Sequence, residues 1–450
     1  MTQSNKPETR SYFAATSGFA GGPDTPSAFL ERCLESFDEW EPKIGAFVAT
    51  NPERAREDAK AADERWKSGK TLSLIDGMPI GIKDIMETAD MVTEQGSPLF
   101  KGWQGGRDSA AVAALREAGA VILGKTVTTE FAASHPRGTR NPWDTDRTPG
   151  GSSSGSAASV ASGIVAAALG TQVVGSILRP ASFCGVYGFK PSVGGINRGG
   201  SFDGFSQSCS GVLAATLAEV WSVARAISAR AGGDAGYVGL TGPLELPEPV
   251  KPKRIALLET GAWDGAKEEA KNALQGVADS LAGAGIGIIT RASNKSVERA
   301  EEAISTANQL SLDINAWEGR WPLNTYARDM DRSSLSPSAQ DRLSQAEGMS
   351  QEEYAALLAE RDGVRQTYEA LAAECDLTMS LSANGAAPIG LNTTGDPKFV
   401  SHGSLLGTPA ISIPLLEAEG LPLGLQLMGY TDKDAALFAG AAALLGLLQA

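Results

Sequence analysis

"TPGGSSSGS" (148–156) sets three consecutive serines between glycines, and "GTQVVGSILRPASFCG" (170–185) follows it with a second stretch of small residues. How these two segments are read decides the fold. A Gly/Ser-rich run is either a flexible linker or backbone that must pass close to something. Helical pattern follows at once. "SAASVASGIVAAALG" (156–170) reads as one helix of very small side chains, which lets neighbouring elements approach closely and predicts a central place in the molecule. That continuity argues against a linker and makes the serines candidates for chemistry.

A serine hydroxyl is a weak nucleophile and needs a positioned base. The chain offers only two histidines, His135 and His402. "GSSSG" (151–155) satisfies G-x-S-x-G, the nucleophile elbow. That reading gives an α/β-hydrolase-type esterase with Ser153 as nucleophile, then Asp376 or Asp396 and His402 in the right chain order. An elbow must follow a buried strand, however, and "RNPWDTDRTP" (140–149) contains none. The other candidate base is lysine, which serves only when burial lowers its pKa toward neutrality. "GMPIGIKDIM" (77–86) puts Lys83 in an apolar, glycine-flanked run, an unusual place for a charge. Taken alone, this residue reads equally as an ordinary solvated lysine.

Composition bounds the alternatives. The chain has 450 residues, of which 42% are hydrophobic and 20% charged, a globular composition with ample core. At ~150 residues per domain, the length allows three domains or one large α/β unit. The formal net charge of −14 repels phosphate backbones, and no Lys/Arg cluster offsets it. Nucleic acid and anionic membranes are therefore excluded as expected partners. Cys33, Cys184, Cys209 and Cys375 lie far apart with no CxxC pair. Neither a zinc site nor a disulfide framework is expected, and a reducing compartment suits them. The polar start "MTQSNKPETRSYF" lacks a signal-peptide core, and the apolar tail "AALFAGAAALLGLLQA" is too short to span a bilayer. The expectation is a cytoplasmic protein, monomeric or homodimeric.

The elements alternate. Thr25-Pro26 and Asn51-Pro52 open two helices in the pattern of a cap followed by proline at the first helical position. "SAAVAALREAGAVILGKT" (109–126) reads as helix, turn and buried strand. "RIALLE" (254–259) and "IGIIT" (286–290) are strands around an amphipathic helix. Ser350 and Glu353 form a capping-box pattern ahead of a long helix. "TPAISIPLLEAEGLPLGLQLMGY" (408–430) reads as two strands and a turn. The stretch 315–350 is aromatic and irregular, a candidate lid or pocket wall, or a plain surface loop. No repeat or linker divides the chain, so a single domain over 1–450 is expected, with a helical N-terminal part to about 70 and a core from about 71 to 430.

Four pieces then carry a specific resemblance: "GMPIGIKDI" (77–85), "TRNPWDTDRTPGGSSSGSAASVASG" (139–163), "GTQVVGSILRPASFCGVYGFKPS" (170–192) and "TGDPKFVSHGSLLGTPAISIPLLEAEGLPLGLQLMG" (394–429). In this order they resemble the amidase signature family. The resemblance implies an α/β fold with a mixed, twisted central sheet, helices on both faces and the site over one sheet edge. It implies hydrolysis of small non-peptide amides or carbamates, with urethanases among the family's members. The implied triad is Lys83, Ser152 as bridging serine after a cis peptide at Gly151, and Ser176 as nucleophile. The oxyanion donors become the backbone N–H groups of Val173, Val174, Gly175 and Ser176. No metal or organic cofactor is implied. A second reading within the family is a glutamine-amidotransferase-like subunit that works with a partner; a third is a non-catalytic relative.

The chain departs from the family pattern in places. Val174 stands where glycine is usual, and valine disfavours positive φ. Gln172 stands where aspartate is frequent, and Ser208 and Ala215 stand where aspartate and arginine are. Arg179 lies three residues after Ser176, a place from which some relatives grip an acidic substrate; a structural role there reads equally well. Ser154 is the neighbouring serine expected to support the relay.

Overall fold

The computed structural model describes residues 6–449. Apolar runs form the strands β1 (Phe47–Thr50), β2 (Pro79–Lys83), β3 (Val121–Thr126), β4 (Ala167–Gln172), β5 (Tyr187–Lys190) and β6 (Cys209–Ala214). The second half adds β7 (Arg254–Leu257), β8 (Gly287–Ile289), β9 (Leu377–Leu381), β10 (Ala410–Ala418) and β11 (Leu421–Met428). All eleven join one mixed sheet in the order β1-β3-β2-β4-β6-β5-β10-β11-β9-β7-β8. β2 runs parallel to both β3 and β4. The C-terminal ends of β2 and β4 therefore emerge side by side, and the site is built there, at interior strands of the order.

Side-chain alternation splits the core between two faces. On β3, Ile122 packs into one cluster and Val121 and Leu123 into another. The first face is covered by the helices Ala110–Glu117, Leu217–Ala231, Glu268–Gly283 and Asp434–Leu448. The second is covered by Pro26–Ile44, Pro52–Lys67 and Ser154–Ala161 over one half, and by Lys295–Ile304, Gln351–Glu369 and Lys398–Leu406 over the other. The molecule is one large α/β domain with helices on both faces of a mixed sheet.

Local signals act as expected at the helix starts. Thr25 and Asn51 accept from the N–H of Ala28 and Arg54, and Ser350 with Glu353 closes a full capping box. β10 and β11 pair through a two-residue turn, Glu419-Gly420, both at positive φ as such hairpins require.

Two expectations are corrected. The stretch 156–170 is not one helix: the helix ends at Ala161, Gly163 turns at φ 67, and Ala167–Gln172 is the interior strand β4. Its alanines suit a strand pressed from both faces, where helices and strands come too close for larger side chains. Nor is 315–350 irregular. It comprises most of a helix, Ala307–Asp329, and the whole of another, Pro337–Gly348, capped by Ser336. The break that obscured the pattern is Trp321, which leaves helical φ/ψ ahead of Pro322.

Candidate active site

Lys83 is the last residue of β2 and is fully buried. Its Nζ lies 2.7 Å from Ser152 Oγ and 2.8 Å from Thr171 Oγ1. Among the described residues no carboxylate forms an ion pair with it. Burial drives its pKa down to about 7, against the charge of Asp203, which favours the ammonium form. Asp203 is itself held by the hydroxyls of Ser208 (2.7 Å) and Ser201 (2.9 Å). Ser208 thus supplies a hydroxyl where the family often has a carboxylate, and Asp203 brings the carboxylate from five residues upstream.

The peptide Gly151–Ser152 is cis. It is braced from behind by Arg179, whose guanidinium donates to Gly151 O (2.7 Å) and Thr394 Oγ1 (3.1 Å). Gly151 leaves no room for a side chain, since a Cβ there would sit 2.7 Å from Thr394 Cγ2. Arg179 is buried, and burial pushes its pKa down to about 10. It also borders the cavity, so the structure gives it a bracing contact beside any role toward substrate.

Ser152 and Ser176 border the same cavity, of about 530 Å³. Ser176 Oγ makes no hydrogen bond among the described residues, while the Ser176 carbonyl accepts from Ser153 N–H. Phe131, Phe205 and Leu312 supply apolar wall, and Asn315, Asp341 and Arg342 bring the two helices of 307–348 to its border. Val174 keeps φ outside the left-handed region, so the valine is accommodated by an ordinary backbone. The N–H groups of Val173, Val174, Gly175 and Ser176 donate to no acceptor among the described residues, and all four residues line the cavity.

Three sequence-level candidates move elsewhere. Ser153 is tied to β4, its hydroxyl bonding Thr171 O at 3.3 Å, and a helix rather than a strand adjoins it. Ser154 bonds Val127 O at 3.3 Å and does not reach the lysine. His402 is buried on the helix Lys398–Leu406, both ring nitrogens lack a hydrogen-bond partner among the described residues, and burial pushes its pKa down to about 4. An esterase elbow on Ser153 with His402 therefore has no geometric basis. Conversely, Thr171 and Asp203 were not singled out from the sequence. Thr171 alone carried a signal, a hydroxyl near the strand end just ahead of the nucleophile loop.

The chain matches the Amidase family over residues 28–438. It belongs to that family. It is 31% identical to a subunit of the glutamyl-tRNA(Gln) amidotransferase of Chloroflexus aggregans, over 94% of this chain and 93% of that one. A solved structure described as a vestigial protein complex that reveals the evolutionary origins of an s-triazine catabolic enzyme superposes with a TM-score of 0.84. It has 26% identity and covers 97% of this chain and 98% of its own. The peptide amidase of Stenotrophomonas maltophilia superposes at 0.77, with 25% identity over 96% of each chain. This amidase-family chain therefore keeps full-length correspondence with relatives of differing named activities. Among its described residues no helix is long and apolar enough to cross a membrane, and no group of three His, Cys, Asp or Glu side chains is placed to hold a metal.

Proposed function

We propose that this chain hydrolyses the C–N bond of small non-peptide amides, carbamates included, through an acyl-enzyme on Ser176. The observation that carries the reading is the buried Lys83 amine 2.7 Å from Ser152 Oγ, with a pKa near 7. In the neutral form Lys83 takes the Ser152 proton while Ser152 takes that of Ser176. Ser176 Oγ then bonds to the carbonyl carbon, and the oxyanion forms against the free N–H groups of the loop after β4. The C–N bond breaks as the relay returns the proton to the leaving amine. Water enters by the same relay, the Ser176 ester breaks and the acid departs. A urethane carbonyl passes through the same tetrahedral oxyanion. The apolar wall of Phe131, Phe205 and Leu312 favours an uncharged acyl or aryl group.

A second reading is an amidotransferase component that draws ammonia from glutamine and works with a partner. It is favoured by the 31% identity to relatives of that name along nearly the whole chain. One assay separates the two. The purified chain is given an anilide, an aryl carbamate and glutamine, and amine or ammonia release is followed. Turnover of the first two, with glutamine inert, supports the small-amide hydrolase. Glutamine hydrolysis, or activity only after a partner is added, supports the amidotransferase.

A further inference from the structure

The four free N–H groups need aim, because an oxyanion donor works only when it is pre-positioned. The carbonyls of the same peptides reveal what aims them. Val174 O accepts from Ser404 Oγ at 2.9 Å, and Val173 O accepts from Gln207 Nε2 at 3.3 Å. Both peptides are trans. A trans peptide points its C=O and N–H to opposite sides. Holding Val174 O away from the cavity therefore turns the Gly175 N–H toward it, and holding Val173 O does the same for the Val174 N–H.

The direction of the Ser404 hydrogen bond is set one step further back. Gln172 Oε1 accepts from the N–H groups of Ile177 (2.8 Å) and Leu178 (3.0 Å). That fixes which end of the amide is oxygen. The NH2 end then faces Ser404 and donates to its Oγ at 3.0 Å. A hydroxyl has one proton. Because the Gln172 NH2 can only donate to it, Ser404 is left to direct that proton at Val174 O. A carboxylate at position 172 would accept from Ile177 and Leu178 equally well. It would also accept from Ser404, and so draw the hydroxyl proton off Val174 O. Space is fixed as well: a Cβ on Gly175 would meet Val400 Cγ2, from the helix that carries Ser404, at 2.6 Å.

We propose that Gln172 and Ser404 are positioning residues, which aim the Gly175 N–H at the oxyanion by holding the Val174 carbonyl from behind. The inference rests on Ser176 being the nucleophile. Glutamine at a place where aspartate is frequent is then functional: it supplies the donor that this chain's serine requires.

The test uses the full chain and an aryl fluorophosphonate, whose phosphoryl oxygen occupies the oxyanion position while the nucleophile is phosphonylated and fluoride leaves. Labelling rates and kcat and KM on a turned-over amide are measured for Ser404→Ala, Ser404→Thr, Gln172→Glu and the double variant Gln172→Glu/Ser404→Ala. Removing a donor outright costs about 10²–10³-fold. Misaiming one is expected to slow labelling and kcat by about tenfold to a hundredfold, with KM within about twofold. Gln172→Glu should lose as much as Ser404→Ala. The double variant should lose no more than either, because both act on one carbonyl. Ser404→Thr should recover most of the rate. Should Ser404→Ala fail to fold, Gln172→Glu reads the same path. Ser404→Ala labelled at the wild-type rate would overturn the inference alone, as would additive losses in the double variant. Failure of the wild type to be labelled at Ser176 would overturn the nucleophile and the inference together.

Discussion

In the proposed reaction Lys83 and Ser176 divide the work that histidine and serine share in other hydrolases, and single atoms decide the division. Ser176 Oγ is free at the cavity, whereas Ser153 Oγ is spent on β4. Ser176→Ala should therefore abolish turnover, and Ser153→Ala should leave most of it; initial rates on one amide, with a thermal melt as control, check both. The reverse outcome would restore the elbow. Asp203 offers a finer test. Its charge raises the Lys83 pKa, opposing the larger effect of burial. Asp203→Asn keeps the acceptor for Ser208 and removes the charge, so the ammonium form loses support. The acid limb of kcat/KM should then move to lower pH than in the wild type; an unmoved limb would show that Asp203 does not act on the lysine. The apolar run around Lys83 left a buried amine and a solvated one equally open, and the fold decides for burial. Asp203, Ser404 and Gln207 were not legible in the sequence, because each acts through contacts that only the fold creates.

At the scale of elements, the nucleophile loop is set by what leaves no room around it. Gly175 faces Val400 so closely that a Cβ would sit 2.6 Å from its Cγ2, with Pro397 at 3.3 Å. Gly175→Ala must push the loop toward the cavity or the helix Lys398–Leu406 away from it. Overpacking of this kind typically costs about 1–3 kcal/mol. We expect a loss of kcat of at least about tenfold together with a lower Tm, read by kinetics and thermal melts on the same preparation. An alanine variant with unchanged kcat would show that the loop has slack. The strands β3, β7, β8, β10 and β11 and the caps Thr25, Asn51 and Ser350 were legible in the sequence, since capping side chains and alternation are local. The sequence misleads where a tertiary surround overrides propensity. "VAAALG" (165–170) is alanine-rich and reads as helix, yet it forms β4 because its place between β2 and β6 demands a narrow strand. The 315–350 segment reads as loop because Trp321 breaks the period, while Leu323, Leu335 and Leu343 bury against Phe131 beside the cavity.

Over the whole molecule, one sheet gathers a site from four distant parts of the chain: Lys83 at the end of β2, the serines before the helix Ser154–Ala161, the loop after β4, and Ser404 from near the C-terminus. Order along the chain announced the first three through the family resemblance. Their meeting depends on β2 and β4 being parallel neighbours. The same assembly withdraws Lys83 from water. Its ordinary pKa of 10.5 falls to about 7 with burial as the leading cause. Below that pH the folded lysine is protonated and cannot accept a proton; above it the base is ready. The decisive measurement is kcat/KM against pH for the wild type, Lys83→Ala and Lys83→Arg on one amide substrate. A neutral-lysine base gives a wild-type rate that rises with pH to a plateau, with its midpoint near 7. Near-complete loss is expected in both variants, since alanine has no amine and guanidinium stays charged and cannot serve as a base. An arginine variant retaining near-wild-type rates would mean that the position supplies only positive charge, and would contradict the relay.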